Sequence, residues 1–323
     1  MKQIEKEIMQ IPGNTPLIKI DNIYAKLECT NPCGSIKDRM AKYILDRSEE
    51  LGLLKPGMKI VEGTSGNTGI AFSYYGRQKG YDVTIVMPEN MTDERKQIIR
   101  DLGARLILCS KEGSFGEAVQ IRDELAQKPD YFTPDQFSNQ LNVECHYKTT
   151  GKEIIAQIKK HADKVDAIVA GIGTGGTLIG IGKALKEVNP EVCLVAVEPT
   201  ESAVMTGGEP GSHSIQGIGD GFIPPIAQGN NQGLTESISE VQTVSSEEAH
   251  QSAKELESKH GYCVGISSGA NFVAAQRMTK RFKTVVTIFP DGYLKYLSQG
   301  LKRCIEGQCE YEAEPAYLGA KKD

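Results

Sequence analysis

Lys37 is the residue whose type and position could matter most for chemistry. It lies in residues 31–39, after a strand-like stretch at residues 23–28 and an Asn-Pro turn signal. Ser35 and Asp38 are typical of the first residues of a helix. A lysine at a helix start, at the mouth of an α/β sheet, can be desolvated and can then form a Schiff base with an aldehyde. For a lone lysine a solvated side chain is the commoner case, so the rest of the chain has to decide.

Two glycine-rich loops follow predicted strands and begin predicted helices. Residues 171–177 read Gly-Ile-Gly-Thr-Gly-Gly-Thr, and their backbone N–H groups, with the hydroxyls of Thr174 and Thr177, could hold a phosphate. Residues 64–69 read Thr-Ser-Gly-Asn-Thr-Gly. Their hydroxyls suit a carboxylate, and the amide of Asn67 can hydrogen-bond a phenolic oxygen. An ordinary N-cap explains one of these polar residues but not four.

The loop at residues 171–177 allows a second interpretation. Gly171, Gly173 and Gly176 satisfy G-x-G-x-x-G, and Glu198 follows the next strand roughly 20 residues later, as in a dinucleotide fold. An NAD-dependent oxidoreductase is therefore an alternative from another enzyme class. It leaves Lys37 and residues 64–69 without roles, so it ranks second.

Strand-like and helix-like segments alternate along the whole chain. Short β-branched runs bounded by glycine, with helices between them, predict an α/β fold of two parallel-sheet domains with helices on both faces. In such sheets ligands lie at the carboxyl ends of the strands, where these loops gather. The predicted strands include residues 59–62, 82–87, 105–109, 165–170, 192–197 and 284–289.

The bulk properties exclude several classes of function. The 323 residues carry a net charge of -5, and their 37 basic residues are spread along the chain, which argues against nucleic acid as a partner. No apolar run approaches the ~20 residues that span a bilayer, and the first residues lack the apolar core of a signal peptide, so we expect a cytoplasmic protein. The eight cysteines fit no metal-site spacing, so we expect no metal and free thiols, with a redox pair of Cys304 and Cys309 as a weaker possibility.

Seven motifs appear in the order found in cysteine synthases. The chain therefore resembles that family of fold type II pyridoxal-phosphate enzymes, which are tryptophan synthase β-like and closely similar to cystathionine β-synthase cores. The resemblance covers residues from about 11 to 300. The motifs are residues 14–17, 31–39, 64–69, 136–137, 173–177, 216–219 and 267–269.

The resemblance implies a role for each motif. Lys37 would bond the pyridoxal 5'-phosphate and then remove the substrate α-proton, and Asn67 would bond the ring hydroxyl oxygen. The cofactor phosphate would be held by the loop of Gly173, Thr174, Gly175, Gly176 and Thr177. The substrate would be bound by Thr64, Ser65, Gly66, Thr68 and Gln136 at its carboxylate and by Gly217 and Gly219 on its amine side.

The resemblance also implies a reaction. A β-substituted L-alanine would lose its α-proton and its β group to give an aminoacrylate, to which a nucleophile would add. For the usual members O-acetylserine and sulfide give cysteine. The resemblance further implies a homodimer, in which each chain has a smaller domain of residues 40–145 with a mobile substrate-closing part. Residues 1–39 plus 146–310 would form a larger cofactor-anchoring domain, and residues 311–323 a polar tail.

Asp220 departs from the family pattern. The usual wording is Gly-Ile-Gly-Ala-Gly-Phe, whereas residues 217–222 read Gly-Ile-Gly-Asp-Gly-Phe. A carboxylate facing the pocket would repel anions, but it could act as general base for water or a thiol. The enzyme would then be a cysteine lyase that releases hydrogen sulfide and forms serine, or would make a thioether. Alternatively Asp220 points to solvent or caps a turn, as Asp beside Gly often does.

Asp291 is a second departure. Relatives place a serine opposite the pyridine nitrogen just after the proline that ends the last strand, and here Asp291 falls at or beside that place. A carboxylate there would favour a protonated ring and a stronger electron sink; alternatively Asp291 turns away. A further hypothesis is a catalytically quiet binding protein that senses an amino acid. None of the five histidines lies in a cofactor motif, and only His213 lies in the substrate-side loop.

Overall fold

The computed structural model describes residues 11–64, 66–110, 114–230, 232–302, 311 and 315–318. The chain divides into two compact units. The small unit contains Asn31–Asp135, and the large unit contains Gly13–Thr30 and the described residues from 136 to 302. Ser65, Cys304 and Cys309 lie outside the described residues.

The small unit is built on a four-stranded parallel sheet in the order β5-β4-β3-β6. Each strand except β6 is followed by a helix, which is the alternation that a parallel sheet requires. Val61, Val86, Cys109 and Ala118 form a core cluster where strands meet helix α4. The strands are β3 (Lys59–Gly63), β4 (Asp82–Pro88), β5 (Arg105–Cys109) and β6 (Tyr131–Phe132), and the helices are α1 (Lys37–Glu50), α2 (Asn67–Gln78), α3 (Asp93–Asp101) and α4 (Ser114–Ala126).

The large unit is built on a six-stranded sheet in the order β1-β2-β10-β7-β8-β9. Strands β2, β10, β7, β8 and β9 run parallel, whereas β1 pairs with β2 antiparallel. Only Asp21 and Asn22 separate β1 from β2, which is too short for the crossover that a parallel pair needs. The strands are β1 (Leu17–Ile20), β2 (Ile23–Leu27), β7 (Ala167–Gly171), β8 (Cys193–Pro199), β9 (Glu240–Val244) and β10 (Val285–Phe289).

The helices of the large unit include one long interrupted rod. Helix α5 (Gln140–His146) continues through a π-helical segment, Tyr147–Gly151, into α6 (Lys152–Ile158). The other helices are α7 (Gly176–Lys186), α8 (Ser246–His260) and α9 (Ile266–Met278). The prediction of parallel sheets with intervening helices is confirmed, except that β1 is antiparallel.

A buried ion pair joins the β1–β2 hairpin to the rod. Lys26 in β2 has no exposed surface. Its Nζ lies 2.8 Å from Glu153 Oε2, donates to Gln157 Oε1 at 2.8 Å, and donates to the Thr15 carbonyl at 2.5 Å. A buried ammonium needs such partners because an unpaired charge in the interior is strongly unfavourable. The first strands of the chain are thereby fixed to α6.

The division into units differs from the predicted domain boundaries at two segments. Residues 31–39 belong to the small unit and residues 136–145 to the large unit, the reverse of the prediction. The first segment leads directly into α1, which packs on α2 of the small-unit sheet. The second contains α5, which packs on α7 of the large unit.

Two further sequence expectations concern membranes and thiols. None of the described helices is long and apolar enough to cross a membrane. Cys29, Cys33, Cys109, Cys145 and Cys193 are free thiols, as predicted. Cys263 is disulfide-bonded, so the prediction is wrong for that residue, because the partner of a cysteine cannot be deduced from spacing alone.

Candidate active site

Lys37 is the first residue of α1 and is half-buried. The N-cap is Ile36, and Ser35 contributes by accepting a hydrogen bond from the Lys37 backbone N–H at 3.3 Å. The sequence therefore placed the helix start correctly to within a residue. The amine is attached to a rigid element rather than to a free loop.

Asp38 holds the turn that precedes Lys37. Its carboxylate has no exposed surface, and Oδ2 accepts a hydrogen bond from the Cys33 backbone N–H at 2.5 Å. Tyr75 of α2 is also buried, and this burial, followed by the charge of Asp38, raises its pKa far above the usual value. Tyr75 is therefore a neutral phenol, and the start of α1 is packed against α2.

The loop at residues 64–69 joins β3 to α2. Its N-cap is Gly66, and no side chain caps the helix. Thr64 is buried, and its Oγ1 accepts from the Gly66 backbone N–H at 3.3 Å. Asn67 and Thr68 are the first two helical residues, half-buried and buried respectively. The ordinary N-cap interpretation therefore does not account for the described polar side chains of this loop.

Arg95 of α3 packs behind this loop. It is 2% exposed, and a Cβ placed on Gly66 would lie 2.4 Å from Arg95 Cδ. A buried guanidinium at this place puts a fixed positive charge against the loop that was predicted to bind a carboxylate. Arg95 was not predicted, because α3 and the loop are separated along the chain by β4.

The loop at residues 171–177 joins β7 to α7, as predicted. Gly175 is the N-cap of α7, and Thr174 is buried, with its Oγ1 accepting from the Gly176 backbone N–H at 3.3 Å. Added Cβ atoms would lie 2.4 Å from the Gly217 carbonyl oxygen at Gly173 and 2.3 Å from Asn142 Oδ1 at Gly176. These positions therefore require glycine, and the backbone N–H groups of such a loop at a helix start suit a phosphate.

Two residues of α5 hold this phosphate loop from behind. Asn142 Nδ2 donates to Thr174 Oγ1 at 2.9 Å and to the Gln136 carbonyl at 3.0 Å. His146, which is 1% exposed, has Nε2 at 3.2 Å from Thr177 Oγ1 and Nδ1 at 2.9 Å from the Thr150 hydroxyl. Neither residue was predicted to touch the cofactor motif. A partial signal was present in the sequence, since both residues follow the predicted substrate residue Gln136 within ten positions.

The third anchor of the phosphate loop is Asn271 of α9. Its Oδ1 accepts from the Gly171 backbone N–H at 2.8 Å, and its Nδ2 donates to the Ile288 carbonyl in β10 at 2.8 Å. One buried amide therefore fixes the end of β7 to the neighbouring strand. The sequence did not single out Asn271.

The loop that carries Asp220 lies against the phosphate loop. The Gly219 backbone N–H donates to the Ile172 carbonyl at 3.0 Å, and Ile218 packs where a Cβ of Gly171 would be. Gly219 and Gly221 have φ of +71° and +84°, values that favour glycine. Asp220 between them is half-buried. The structure thus brings the predicted amine-side residues next to the predicted phosphate residues.

Asp291 lies just beyond the end of β10 and is completely buried. Its Oδ2 accepts a hydrogen bond from the Tyr296 hydroxyl at 2.8 Å, and its carbonyl accepts from the Gly265 backbone N–H at 2.9 Å. A Cβ on Gly265 would lie 2.0 Å from Asp291 Oδ1. The carboxyl group therefore lies beside the Tyr296 hydroxyl, in space that is open because residue 265 is glycine.

Glu198 does not serve as a nucleotide-binding residue. Its carboxylate is completely buried and accepts from the Met205 and Thr206 backbone N–H groups at 2.7 Å and 3.1 Å, and from the Thr206 hydroxyl at 2.8 Å. Both oxygens are thus used within the chain and are unavailable to a ribose. The NAD interpretation of Gly171, Gly173 and Gly176 is not retained.

Comparisons with known proteins show similarity over most of the chain. Residues 8–291 match the family of pyridoxal-phosphate dependent enzymes. The cysteine synthase of Staphylococcus aureus is 41% identical over 305 residues, which are 91% of this chain and 96% of that protein.

Two solved structures have about the same sequence identity to this chain. A mutant of a hydrogen sulfide-producing enzyme, in complex with an alpha-aminoacrylate intermediate, has a TM-score of 0.84 and 40% identity, with 96% of this chain and 95% of that chain covered. An O-acetylserine dependent cystathionine beta-synthase from Helicobacter pylori has a TM-score of 0.84 and 39% identity, with 91% and 97% covered. This chain therefore belongs to the family of pyridoxal-phosphate dependent enzymes.

Proposed function

We propose that this protein catalyses β-replacement on a β-substituted L-alanine, in the manner of the cysteine synthases. Similarity to a cysteine synthase and to an O-acetylserine dependent enzyme supports O-acetylserine as donor and sulfide as nucleophile. The observation that carries the proposal is the phosphate loop at the start of α7, where close contacts leave no room for a side chain at Gly173 or Gly176. The homodimer and the cytoplasmic location expected from the sequence stay predictions.

The cofactor and the residues that hold it have separate roles in this reaction. Pyridoxal phosphate supplies, when bound, the electron sink that makes the α-proton of an amino acid acidic. Lys37 would bond the cofactor and would take the substrate α-proton, while Asn67 would bond the ring hydroxyl. Residues 173–177 would hold the phosphate, and Asp291, whose carboxylate accepts from the Tyr296 hydroxyl, would serve the ring nitrogen if it faces the ring.

The substrate is bound by its two ends. Its carboxylate is taken by Thr64, Ser65, Gly66, Thr68 and Gln136, and the buried Arg95 behind Gly66 adds a favourable charge. Its amine side faces Gly217 and Gly219. Holding both ends fixes Cα and Cβ, which is the positioning that the chemistry needs.

A second candidate reaction is the cleavage of cysteine to sulfide and serine, and Asp220 favours it. The Cβ–S bond breaks and sulfide leaves; the oxygen of water then bonds Cβ while the Asp220 carboxylate takes one proton of that water. Similarity to a hydrogen sulfide-producing enzyme supports this direction. So does the placement of Asp220 on a loop that packs against the phosphate loop.

Lys37→Ala tests the cofactor assignment. We expect wild-type protein to show a visible absorption band that borohydride removes, and the variant to lack the band and all turnover, because Lys37 is the residue assigned to bond the cofactor. Lys42→Ala is the matched control, since Lys42 lies in the same helix and pairs only with Asp46 among the described residues. A variant Lys37→Ala that keeps both the band and turnover would contradict the assignment.

Asp220→Ala separates the two candidate reactions. Removal of a general base costs about a hundredfold or more, so we expect the release of serine and sulfide from cysteine to fall by that factor. Addition of sulfide with O-acetylserine as donor should change only a few-fold. The measurement is a panel of O-acetylserine, cysteine and serine, each with and without sulfide. Equal losses in both reactions refute a specific role for Asp220.

A further inference from the structure

The loop that carries Asp220 is held by a histidine that the sequence left without a role. We propose that His213 is a positioning residue for Asp220, and that it acts by fixing the peptide unit between Gly219 and Asp220. The inference rests on the proposed role of Asp220 in cysteine cleavage. The tautomer of His213 determines whether its Nε2 can donate a hydrogen bond to the Gly219 carbonyl.

The Gly219 carbonyl is the point of attachment. His213 Nε2 lies 2.9 Å from this oxygen, and the hydroxyl of the completely buried Ser202 donates to it over a longer distance, 3.5 Å. The oxygen belongs to the same planar peptide as the nitrogen of Asp220. Two side chains therefore set the orientation of the backbone from which the Asp220 carboxylate extends.

The other nitrogen of the ring determines the tautomer. The Ile215 backbone N–H donates to His213 Nδ1 at 3.2 Å. A backbone N–H can only donate, so Nδ1 must carry a lone pair, and the proton of the neutral ring lies on Nε2. Nε2 is consequently the donor to the Gly219 carbonyl. The ring therefore bridges Ile215 and Gly219, the residue that precedes Asp220 in the chain.

The peptide between Gly219 and Asp220 is the part of this loop whose orientation can change. The residues before it are fixed, since the Gly219 N–H is bonded to Ile172 and a Cβ on Gly219 would lie 2.4 Å from Pro199 Cδ. Gly221, which follows Asp220, has a φ of +84° that glycine reaches without strain. Without His213 the Gly219 carbonyl keeps only the longer hydrogen bond from Ser202, so the Gly219–Asp220 peptide can rotate more freely and shift the backbone that carries the Asp220 carboxylate.

Three variants of His213 differ in which of the two contacts they keep. The amide nitrogen of glutamine reaches about as far as Nε2, so His213→Gln keeps a donor for the Gly219 carbonyl. Asparagine reaches only as far as Nδ1, so His213→Asn keeps at most the contact with Ile215. His213→Ala removes both. A role in folding alone would not distinguish glutamine from asparagine in this way.

The test compares two rates in each variant, with pyridoxal phosphate bound. Loss of one neutral hydrogen bond corresponds to roughly a tenfold effect. We expect kcat for cysteine cleavage to fall by about that factor in His213→Ala and His213→Asn and to recover largely in His213→Gln. Sulfide addition from O-acetylserine should stay within about twofold, and the melting temperature is followed in parallel.

Nitrogen NMR of the labelled wild-type protein gives a reading that does not depend on activity. The expected spectrum shows His213 with a protonated Nε2 and an unprotonated Nδ1. The opposite tautomer overturns the inference, and so does equal loss of both reactions in all three variants. Selective loss in Asp220→Ala with wild-type behaviour in His213→Ala overturns the inference alone, whereas an unselective Asp220→Ala overturns the role of Asp220 itself.

Discussion

The two helix-starting loops, residues 64–69 of the small unit and residues 171–177 of the large unit, are supported in different ways. Polar side chains hold the phosphate loop: Asn142, His146 and Asn271 each hydrogen-bond it directly. Behind the other loop, a Cβ on Gly69 would meet the methyl groups of Thr64, Ile85 and Ile99, and a Cβ on Gly66 would meet the stem of Arg95. Residues 64–69 also have hydrogen bonds, such as Ser73 Oγ to the Gly69 carbonyl at 2.7 Å, but close packing against Gly66 and Gly69 is the feature that sets this loop apart.

The difference corresponds to what each loop is proposed to bind. A cofactor phosphate stays in place through many turnovers, so a site fixed before binding loses no free energy in ordering itself. A substrate carboxylate must enter and leave in every cycle. Packing contacts can adjust by a few tenths of an ångström, whereas a broken buried hydrogen bond leaves an unsatisfied group that costs about 1–3 kcal/mol. The phosphate loop should therefore be the less tolerant of the two.

Gly173→Ala should have the largest effect. The added methyl would lie 2.4 Å from the Gly217 carbonyl oxygen, and backbone cannot move aside as a side chain can. We expect a loss of about 1–3 kcal/mol of stability and a clear fall in pyridoxal-phosphate affinity, measured by reconstitution of the apoenzyme. Gly233→Ala, with nothing within 4 Å, is the control. Unchanged cofactor affinity in Gly173→Ala would remove the distinction between the loops.

Asn142→Ala should have the next largest effect. It leaves the Gln136 carbonyl and the Thr174 hydroxyl without this donor, at a cost of about 1–3 kcal/mol that we expect to divide between stability and cofactor affinity. Asn189→Ala is matched to it, because Asn189 is also buried and its amide donates to the Val165 carbonyl elsewhere in the large unit. That variant should lose stability but bind the cofactor normally. Identical cofactor affinity in Asn142→Ala and Asn189→Ala would contradict this prediction.

Gly69→Ala should have the smallest effect. Its methyl would lie 2.9 Å from Thr64 Cγ2 and 3.0 Å from Ile85 Cγ2, and these side chains can give way. The gain in helix propensity, about 1 kcal/mol, offsets much of the crowding. We expect KM for the amino-acid substrate to rise a few-fold while cofactor affinity stays the same. Gly116→Ala, at an exposed position of α4 with nothing within 4 Å, controls for helix propensity. A larger loss of cofactor affinity in Gly69→Ala than in Gly173→Ala would reverse the comparison.

Sequence reasoning recovered those features that depend on neighbours along the chain. The start of α1 at Lys37 and the strand-loop-helix order around residues 64–69 and 171–177 follow from local turn and helix signals. The short strands β6 and β9 were not predicted, since they carry few buried apolar residues. The membership of residues 31–39 in the small unit was also missed.

The supporting residues of the site lie beyond what such reasoning can reach. Arg95, Asn271 and Tyr296 are fixed by tertiary packing, and in a single sequence they look like any other polar residue. Glu198 shows the converse error, because its spacing from a glycine loop fits a nucleotide-binding pattern while its carboxylate is used to hold a neighbouring turn. Motif spacing reports which elements meet a ligand, but not which side chains orient them.

The π-helical segment Tyr147–Gly151 has a consequence for insertions and deletions. One end of the rod carries Asn142 and His146 at the phosphate loop, and the other carries Glu153 and Gln157 on buried Lys26. Since each residue of a helix turns the chain by about 100°, the widened turn determines the angle between these two faces. Removal of a single residue there would rotate one end of the rod by about 100° relative to the other. Either the contacts with Lys26 or the contacts with the phosphate loop would then be lost. The length of this segment is therefore constrained in addition to the identities of its residues.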